Sequence, residues 1–393
     1  MTDFYGEMQK ELDILKASSL FRQTITVETP PEPWIAVGSQ TMLNLAGNNY
    51  LGLANHPVLK EAAVHALQKY GTGTAGSRLV VGTSALHEEV EEALARFQGR
   101  ESALLFSSGY CANLGVIQAL VGRNDYVFSD KLNHASIVDG IILSRAKLKR
   151  YRHKDLDHLE KLLKNTTAPG RKLIITDSIF SMDGDRAPIK ELVELKQRYG
   201  AMLMLDEAHG EGVFGPKGRG LAAHEMAAEH IDIHLGTLSK AFGCLGAYVA
   251  GSKTLVDYLR NKCRSFIYTT SLPPAVLGSI LGALKVIAGT AGDRLRRDLR
   301  NKSKWMINEL NKLGFSTLDS DSQIIPILIP GNDNVINFSK KLRQRGILAL
   351  PIRVPTVPKN SERIRVSLMA THSMQDLTYA VEQFANIKRE ERV

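Results

Sequence analysis

Apolar runs that alternate with helix-patterned segments dominate residues 48–287. Residues 172–176 read KLIIT and residues 202–205 read MLML, with no polar residue at alternate positions of the second run. Continuous apolar runs of this length are typical of parallel strands buried on both faces. Strands that alternate with helices form right-handed βαβ units around a mainly parallel sheet. The sequence therefore predicts an α/β protein with helices flanking that sheet.

The same patterns divide the chain into three predicted parts. Residues 1–47 form an N-terminal segment, with an amphipathic helix over residues 1–16, a proline-rich linker over residues 29–33 and a short strand over residues 42–45. Residues 48–289 form the large α/β domain, and residues 290–393 form a smaller α+β domain. Further strands are predicted at residues 103–106, 126–129, 233–236, 247–250, 323–329 and 364–368, and helices at residues 58–70, 86–97, 110–120, 294–313, 334–344 and 376–388.

Composition narrows the class of protein. The 393 residues are 44% hydrophobic and 23% charged, which suits a globular enzyme with a full core. No apolar stretch reaches about eighteen residues and the N-terminus lacks a signal-peptide pattern, so we expect a cytoplasmic protein without a membrane span. Cys111, Cys244 and Cys263 form no CxxC pair. We expect no disulfide and no metal site, and we interpret the three cysteines as small buried hydrophobic residues.

The formal net charge of +9 favours the binding of an anionic partner. The densest basic run, residues 293–304, alternates with acidic and apolar residues and is typical of a solvated helix face. We therefore expect a small anionic substrate and no nucleic acid.

Three polar side chains lie just beyond the carboxyl ends of predicted strands, where α/β proteins place their functional groups. They are Ser181, Asp206 and Lys240. A carboxylate that ends a buried strand needs a partner, which could be a protonated pyridine nitrogen, an arginine or a helix N-terminus. The alternative for Asp206 is an ordinary helix cap. Lys240 stands in GTLSKAFG, where burial can lower its pKa and make it nucleophilic, whereas a solvated surface lysine is the alternative.

Two further motifs are weaker. The turn FSSGY at residues 106–110 opens a helix whose N–H groups could bind a phosphate. His134 in NHAS could stack on a flat cofactor or could simply cap a helix. Gly71, Gly73 and Gly76 fit GxGxxG, but a helical segment rather than a strand precedes them, so a loop near the active site is favoured over dinucleotide binding.

In combination and in order, four motifs resemble the α-oxoamine synthase family of fold type I enzymes, which depend on pyridoxal 5′-phosphate (PLP). They are Asp206 with His209, the TLSK of Lys240, the NHAS around His134, and FSMDGD at residues 180–185. The resemblance covers residues 20–384. It implies the PLP transferase fold, small amino-acid and acyl-thioester substrates, and a homodimer that shares its active sites across the interface.

The resemblance also assigns roles to individual residues. Lys240 resembles the lysine that binds the cofactor covalently, Asp206 the partner of the pyridine nitrogen, and His134 the ring stacked on the cofactor. His209 and Ser181 resemble groups near the phenolic oxygen, and Lys240, His134, Asp206 and His209 are the expected catalytic set. The expected phosphate ligands are Gly109, Tyr110, Thr237 and, from the neighbouring subunit, Thr270. The expected substrate contacts are Arg22, Asn48, His134, Arg353 and Thr356.

The choice of substrates stays open between two activities of the family. One joins L-alanine to a long acyl thioester, carried by coenzyme A (CoA) or by an acyl carrier protein, and the other joins glycine to acetyl-CoA. The segments GSRL at residues 76–79 and RVPTVP at residues 353–358 favour the first. An aminotransferase, a nicotinamide-dependent dehydrogenase and a regulatory domain without chemistry are the rival interpretations.

Overall fold

A seven-stranded sheet forms the centre of the computed structural model, which describes residues 3–391. The strands of the chain are β1 (Trp34–Val37), β2 (Gln40–Asn44), β3 (Ser102–Phe106), β4 (Tyr126–Asp130), β5 (Lys147–Tyr151), β6 (Lys172–Asp177), β7 (Met202–Asp206), β8 (Ile233–Thr237), β9 (Ala247–Gly251), β10 (Ile324–Leu328), β11 (Ile347–Leu348), β12 (Leu350–Ile352) and β13 (Arg363–Ser367). The central sheet has the order β3-β9-β8-β7-β6-β4-β5. Only β9 runs antiparallel to its neighbours, so the prediction of a mainly parallel sheet is confirmed.

Helices cover both faces of this sheet and build the rest of the fold. They are α1 (Phe4–Ala17), α2 (Pro57–Tyr70), α3 (Ala85–Gln98), α4 (Gly109–Leu120), α5 (Ala135–Ser144), α6 (Leu156–Lys164), α7 (Ile189–Tyr199), α8 (Leu221–His224), α9 (Lys253–Lys262), α10 (Arg264–Ile267), α11 (Pro274–Ala288), α12 (Thr290–Lys312), α13 (Asn332–Gln344) and α14 (Met374–Glu391). Within residues 3–391 no single helix is long and apolar enough to cross a membrane. Helices α11 and α12, which meet at a bend of 72°, reach the length and apolar composition of a membrane span only when taken together.

The apolar strands serve two cores at once. In β7, Leu203 and Leu205 pack into the larger hydrophobic cluster, while Met204 between them packs into a second cluster. All three side chains are fully buried. Because successive side chains of a strand point to opposite faces, a strand covered by helices on both sides has to be apolar throughout. This is the physical reason for the MLML pattern.

The edge strand β5 lacks the continuous apolar run that the inner strands of the sheet have. Its sequence, KLKRY, carries three cations, and only Tyr151 is fully buried. Charged side chains are common on edge strands because they block pairing with another chain. A strand of this kind lacks the apolar run on which sequence-based prediction of a buried strand depends.

The N-terminal segment is joined to the C-terminal part of the chain by β-sheet pairing. Strand β2 pairs antiparallel with β1 and parallel with β11, with Leu43 opposite Ile347. The division at residues 47 and 289 stays a prediction. The predicted N-terminal helix is present as α1, which has no buried residue. Its predicted start at Met1 lies outside the described residues.

Two smaller expectations are wrong in part. All three cysteines are free, but only Cys263 is buried. Cys111, in the first turn of α4, and Cys244, in a bend between β8 and β9, are partly exposed. Within residues 293–304, Arg296 is not solvated, because it is 6% exposed and donates to the carbonyl of Ile287 at 2.8 Å.

Candidate active site

A cavity of about 200 Å³ lies at the carboxyl ends of the central strands. Eight residues that the sequence singled out line it, namely Gly109, Tyr110, His134, Ser181, Asp206, His209, Thr237 and Lys240. They come from the strand ends and from the turns that follow, because parallel strands bring their carboxyl ends to the same edge of a sheet. Ser108, Asn113, Ser136, Asp177 and Ser239 also line the cavity, and sequence reasoning missed them.

Asp206 ends β7 and is 4% exposed. Its Oδ2 accepts a hydrogen bond from Asn113 Nδ2 at 2.8 Å, and its Oδ1 accepts one from the Ala208 N–H at 2.9 Å. No α-helix begins directly after Asp206, where the described chain continues as turns, so the helix-cap alternative is wrong. A buried carboxylate with only two neutral donors leaves lone pairs for a cationic N–H group.

Lys240 follows β8 and reaches the same cavity. Burial lowers the pKa of its amine to about 8, a change that Asp206 and Asp177 oppose and that Arg365 reinforces. Its Nζ lies 3.1 Å from His209 Nε2. A buried amine with a pKa near neutrality is a nucleophile and a base, so the surface-lysine alternative is wrong.

Asp177, at the end of β6, is a second buried carboxyl group on the cavity wall. It lies opposite Asp206 in the β6–β7 register and accepts the His134 N–H at 2.8 Å. Burial, followed by repulsion from Asp206, raises its pKa well above the usual range. The sequence signal was present, because Asp177 ends the KLIIT strand as Asp206 ends MLML.

His134 caps a helix, as one of its two sequence-based interpretations predicts, and the stacking of its ring on a cofactor stays a prediction. It is the N-cap of α5, where its Nδ1 accepts from the Ser136 N–H at 3.3 Å and lies 2.8 Å from Ser136 Oγ. Its ring also lines the cavity. Burial lowers the pKa of His134, so the ring is neutral at physiological pH and offers a flat, uncharged surface.

The start of α4 forms the other end of the cavity. Ser108 caps this helix and accepts the Cys111 N–H at 3.1 Å, and Gly109 and Tyr110 belong to the first turn, whose N–H groups have no partner within the helix. Thr237 Oγ1 and Ser239 Oγ lie 2.9 Å apart on the facing wall. Helix N–H groups and hydroxyls are phosphate ligands. Together with the amine of Lys240 and the carboxylate of Asp206, this set fits PLP, which has a phosphate, an aldehyde and a basic ring nitrogen.

Asn48 lies behind this cavity, not on its wall. Its Oδ1 accepts from Tyr50 Oη at 3.0 Å and from Arg365 Nη2 at 3.1 Å. Tyr50 Oη lies 2.6 Å from His209 Nδ1, and Arg365 Nε donates to the carbonyl of Ser181 at 2.6 Å. The Oδ1 of Asn48 therefore reaches His209 through Tyr50, and the expected substrate contact of Asn48 stays a prediction.

The remaining predicted residues lie outside the cavity. Thr270 pairs with Ser77 in an isolated β-bridge and is exposed. Arg353 Nη2 donates to the carbonyl of Phe21 at 3.1 Å, which brings the segment of Arg22 close to Arg353 but not to Lys240. Thr356 is exposed in the turn that follows Arg353. Their roles stay predictions. The glycine-rich loop after α2 contacts the Thr270 segment, where the Ser271 N–H donates to the carbonyl of Gly76 at 3.2 Å.

Comparisons with known proteins agree with this geometry. The family described as aminotransferase class I and II matches residues 40–384. A Bacillus cereus (strain Q1) protein named putative 8-amino-7-oxononanoate synthase is 49% identical over 386 residues, which cover 98% of each chain. A serine palmitoyltransferase from S. paucimobilis, solved with a bound PLP–myriocin aldimine, is 32% identical with a TM-score of 0.92, and the match covers 98% of each chain. An 8-amino-7-oxononanoate synthase from Francisella tularensis is 29% identical with a TM-score of 0.77, covering 90% of this chain and 99% of that one.

The fold and these relatives define a PLP-dependent enzyme of fold type I. The chain belongs to the aminotransferase class I and II family, within which it is an α-oxoamine synthase that transfers an acyl group. The predicted family, fold class and cofactor are therefore confirmed.

Proposed function

We propose that this chain condenses L-alanine with a pimeloyl thioester, carried by CoA or by an acyl carrier protein, to give 8-amino-7-oxononanoate for biotin synthesis. One carbon–carbon bond forms between alanine Cα and the acyl carbon, the thioester C–S bond breaks, and the alanine carboxylate leaves as CO₂. The observation that carries the proposal is the 49% identity, over 98% of both chains, to a protein named putative 8-amino-7-oxononanoate synthase.

The residues that line the cavity would bind each part of the cofactor. The start of α4 and the hydroxyls of Thr237 and Ser239 would bind the phosphate, and the carboxylate of Asp206 would keep a proton on the ring nitrogen. Lys240 would carry the aldehyde carbon, with the ring of His134 against the face of the cofactor. When bound, PLP supplies an electron-accepting ring that stabilises negative charge at the amino-acid Cα.

The protein's own groups would then control the protons. Lys240, with a pKa of about 8, is suited to take the Cα proton and return a proton later, because a base works best when its pKa lies near the working pH. His209, whose pKa is lowered well below its ordinary value by burial and then by Lys240, stays neutral beside it. Asn113 holds Asp206 in place through its hydrogen bond to Oδ2.

The active form that we propose is a homodimer in which Thr270 of each chain completes the phosphate site of the other. An exposed apolar segment supports this proposal, because Leu79, Val80 and Val81 are 53%, 75% and 70% exposed close to the Ser77–Thr270 bridge. Exposed apolar side chains in one patch are typical of an interface. A cytoplasmic location is part of the same proposal.

A substrate matrix tests the function. L-alanine, L-serine and glycine are each combined with pimeloyl-CoA, palmitoyl-CoA and acetyl-CoA, and the products are identified by mass spectrometry. We expect alanine with pimeloyl-CoA to give the highest kcat/KM and an amino ketone that has lost one carboxylate. Highest turnover of glycine with acetyl-CoA would overturn the substrate assignment in favour of a glycine acetyltransferase. Conversion of the cofactor to its amine form with a keto-acid product would identify an aminotransferase.

A further inference from the structure

A chain of buried and partly buried hydrogen bonds leads from Arg365 to Lys240. Arg365 Nη2 donates to Asn48 Oδ1 at 3.1 Å, and Tyr50 Oη lies 3.0 Å from the same oxygen. Tyr50 Oη also lies 2.6 Å from His209 Nδ1, and His209 Nε2 lies 3.1 Å from Lys240 Nζ. Tyr50 is fully buried and His209 is 5% exposed, so bulk water does not compete for these protons, and the other polar side chains that reach the Tyr50 phenol are those of Arg365 and Gln323.

The donors and acceptors can be assigned from one end of the chain to the other. A guanidinium has only donors, so Arg365 orients the amide of Asn48 with its oxygen toward Arg365 and Tyr50. That oxygen has no proton, and the phenol of Tyr50 has to donate to it. The phenol has a single proton, because burial raises the pKa of Tyr50, against the opposing effect of Arg365. Tyr50 Oη is then an acceptor toward His209, which places the imidazole proton on Nδ1.

The neutral state of His209 gives this assignment its chemical meaning. Burial, followed by the charges of Lys240, Arg365 and His134, lowers the pKa of His209 well below its ordinary value, so the ring has one proton. If that proton is on Nδ1, Nε2 is a bare nitrogen that accepts an N–H from Lys240. If it were on Nε2, the imidazole would donate to the amine and occupy the lone pair with which Lys240 attacks a carbonyl carbon.

We infer that Tyr50, oriented by Asn48 and Arg365, is a positioning residue that keeps His209 in its Nδ1–H form and so leaves the lone pair of Lys240 free. The inference rests on the proposed role of Lys240 as the residue that binds the cofactor aldehyde. It gives Asn48 a function in addition to the expected substrate contact. Asn48 acts at a distance, through Tyr50 and His209, on the reactivity of the amine.

The tautomer of His209 is measured directly by nitrogen NMR on full-length, ¹⁵N-histidine-labelled protein freed of PLP. A His209→Gln variant assigns the signal among the 11 histidines of the chain. We expect a protonated Nδ1 and a bare Nε2 at pH 7.5. Asn48→Asp keeps an acceptor for Tyr50 and should leave the tautomer unchanged. Asn48→Leu removes the acceptor, so the phenol should turn to Nδ1 and move the imidazole proton to Nε2.

A second variant and a second measurement keep the test decisive if Asn48→Leu does not fold. Tyr50→Phe leaves Nδ1 without an acceptor for its proton and should also favour the Nε2–H form. In both variants, covalent attachment of added PLP, trapped with borohydride, should be roughly tenfold slower, as expected when the attacking lone pair is engaged in a hydrogen bond. The matched control is Tyr126→Phe, which removes another buried phenol, one whose partner is Lys147 outside the cavity. It should change neither the tautomer nor the rate.

Two results would overturn the inference. One is an Nε2–H tautomer in the wild-type protein, and the other is an unchanged tautomer in both Asn48→Leu and Tyr50→Phe. Either could occur while borohydride still leaves a pyridoxyl group on Lys240, in which case the proposed role of Lys240 stands. A missing pyridoxyl group on Lys240 in the wild-type protein would instead overturn that role.

Discussion

Two regions of the molecule place a cation among two carboxyl groups and shift its pKa in opposite directions. In the cavity, Lys240 lies near Asp206 and Asp177, and burial lowers its pKa to about 8. At the carboxyl end of β4, His153 lies between Asp130 and Asp185. Burial would lower the pKa of His153 as well, but its hydrogen bonds to the two carboxylates raise it to about 9.

The difference comes from hydrogen-bond geometry. His153 Nδ1 lies 3.0 Å from Asp130 Oδ1, and its Nε2 lies 2.9 Å from Asp185 Oδ2. The amine of Lys240 has its hydrogen bond with His209 instead. A charge that is directly hydrogen-bonded to its counterions is stabilised, whereas one that is only near them is mainly desolvated. The arrangement around His153 stabilises the folded protein, whereas the arrangement around Lys240 produces a reactive amine.

The largest effect that we expect from this comparison is on catalysis at Lys240. Lys240→Ala removes the base and the covalent attachment, so turnover should fall by about 10²–10⁴-fold or more. PLP should still bind through the phosphate ligands, without a pyridoxyl tag after borohydride treatment. Steady-state assays and peptide mapping check both. Lys253→Ala, at an exposed lysine of α9, is the matched control, and wild-type rates in Lys240→Ala would contradict the prediction.

The next effect is on stability at His153. The pKa of His153 in the folded protein is about 9, above the ordinary histidine pKa of 6.5. Its contribution to the free energy of unfolding is therefore fully present below pH 6.5 and is lost as the pH rises through 9. This shift corresponds to on the order of 3 kcal/mol of unfolding free energy. His153→Gln should lose most of that at pH 6 and little at pH 10.

Urea unfolding at both pH values measures the difference. His65→Gln changes an exposed histidine of α2 and should leave the stability of the protein unchanged. A wild-type protein whose stability is the same at pH 6 and pH 10 would mean that the two carboxylates do not hold a charged imidazole.

The smallest effect concerns Asp177. Its carboxylate opposes the lowering of the Lys240 pKa, so Asp177→Asn should lower that pKa further. The change should be less than about one unit, because burial and Asp206 act on the Lys240 pKa more strongly than Asp177 does. The rate of Lys240 acylation against pH, followed by mass spectrometry on protein without PLP, gives the value. A rise in the Lys240 pKa would show that Asp177 acts on Lys240 other than through its charge.

Residues at strand ends were predictable, whereas residues that act through others were not. Asp206, Lys240 and Ser181 follow strands whose apolar sequences are evident, and parallel strands have one common functional edge. Asn113 lies within α4, Tyr50 contacts the sequence-distant His209, and Arg365 contacts the sequence-distant Ser181. Nothing in their local sequence distinguishes them from ordinary buried residues.

The sequence by itself determined the α/β class, the mainly parallel sheet and the positions of the reactive side chains, because the periodicity of apolar residues and the turns after strands are local properties. Only the tertiary structure decided the charge states and the proton positions. These depend on burial and on hydrogen bonds between residues as far apart as Asn48 and Arg365, whose separation in the chain carries no signal of their contact. The pKa of Lys240 is therefore a property of the folded cavity, although the lysine itself is evident in the sequence.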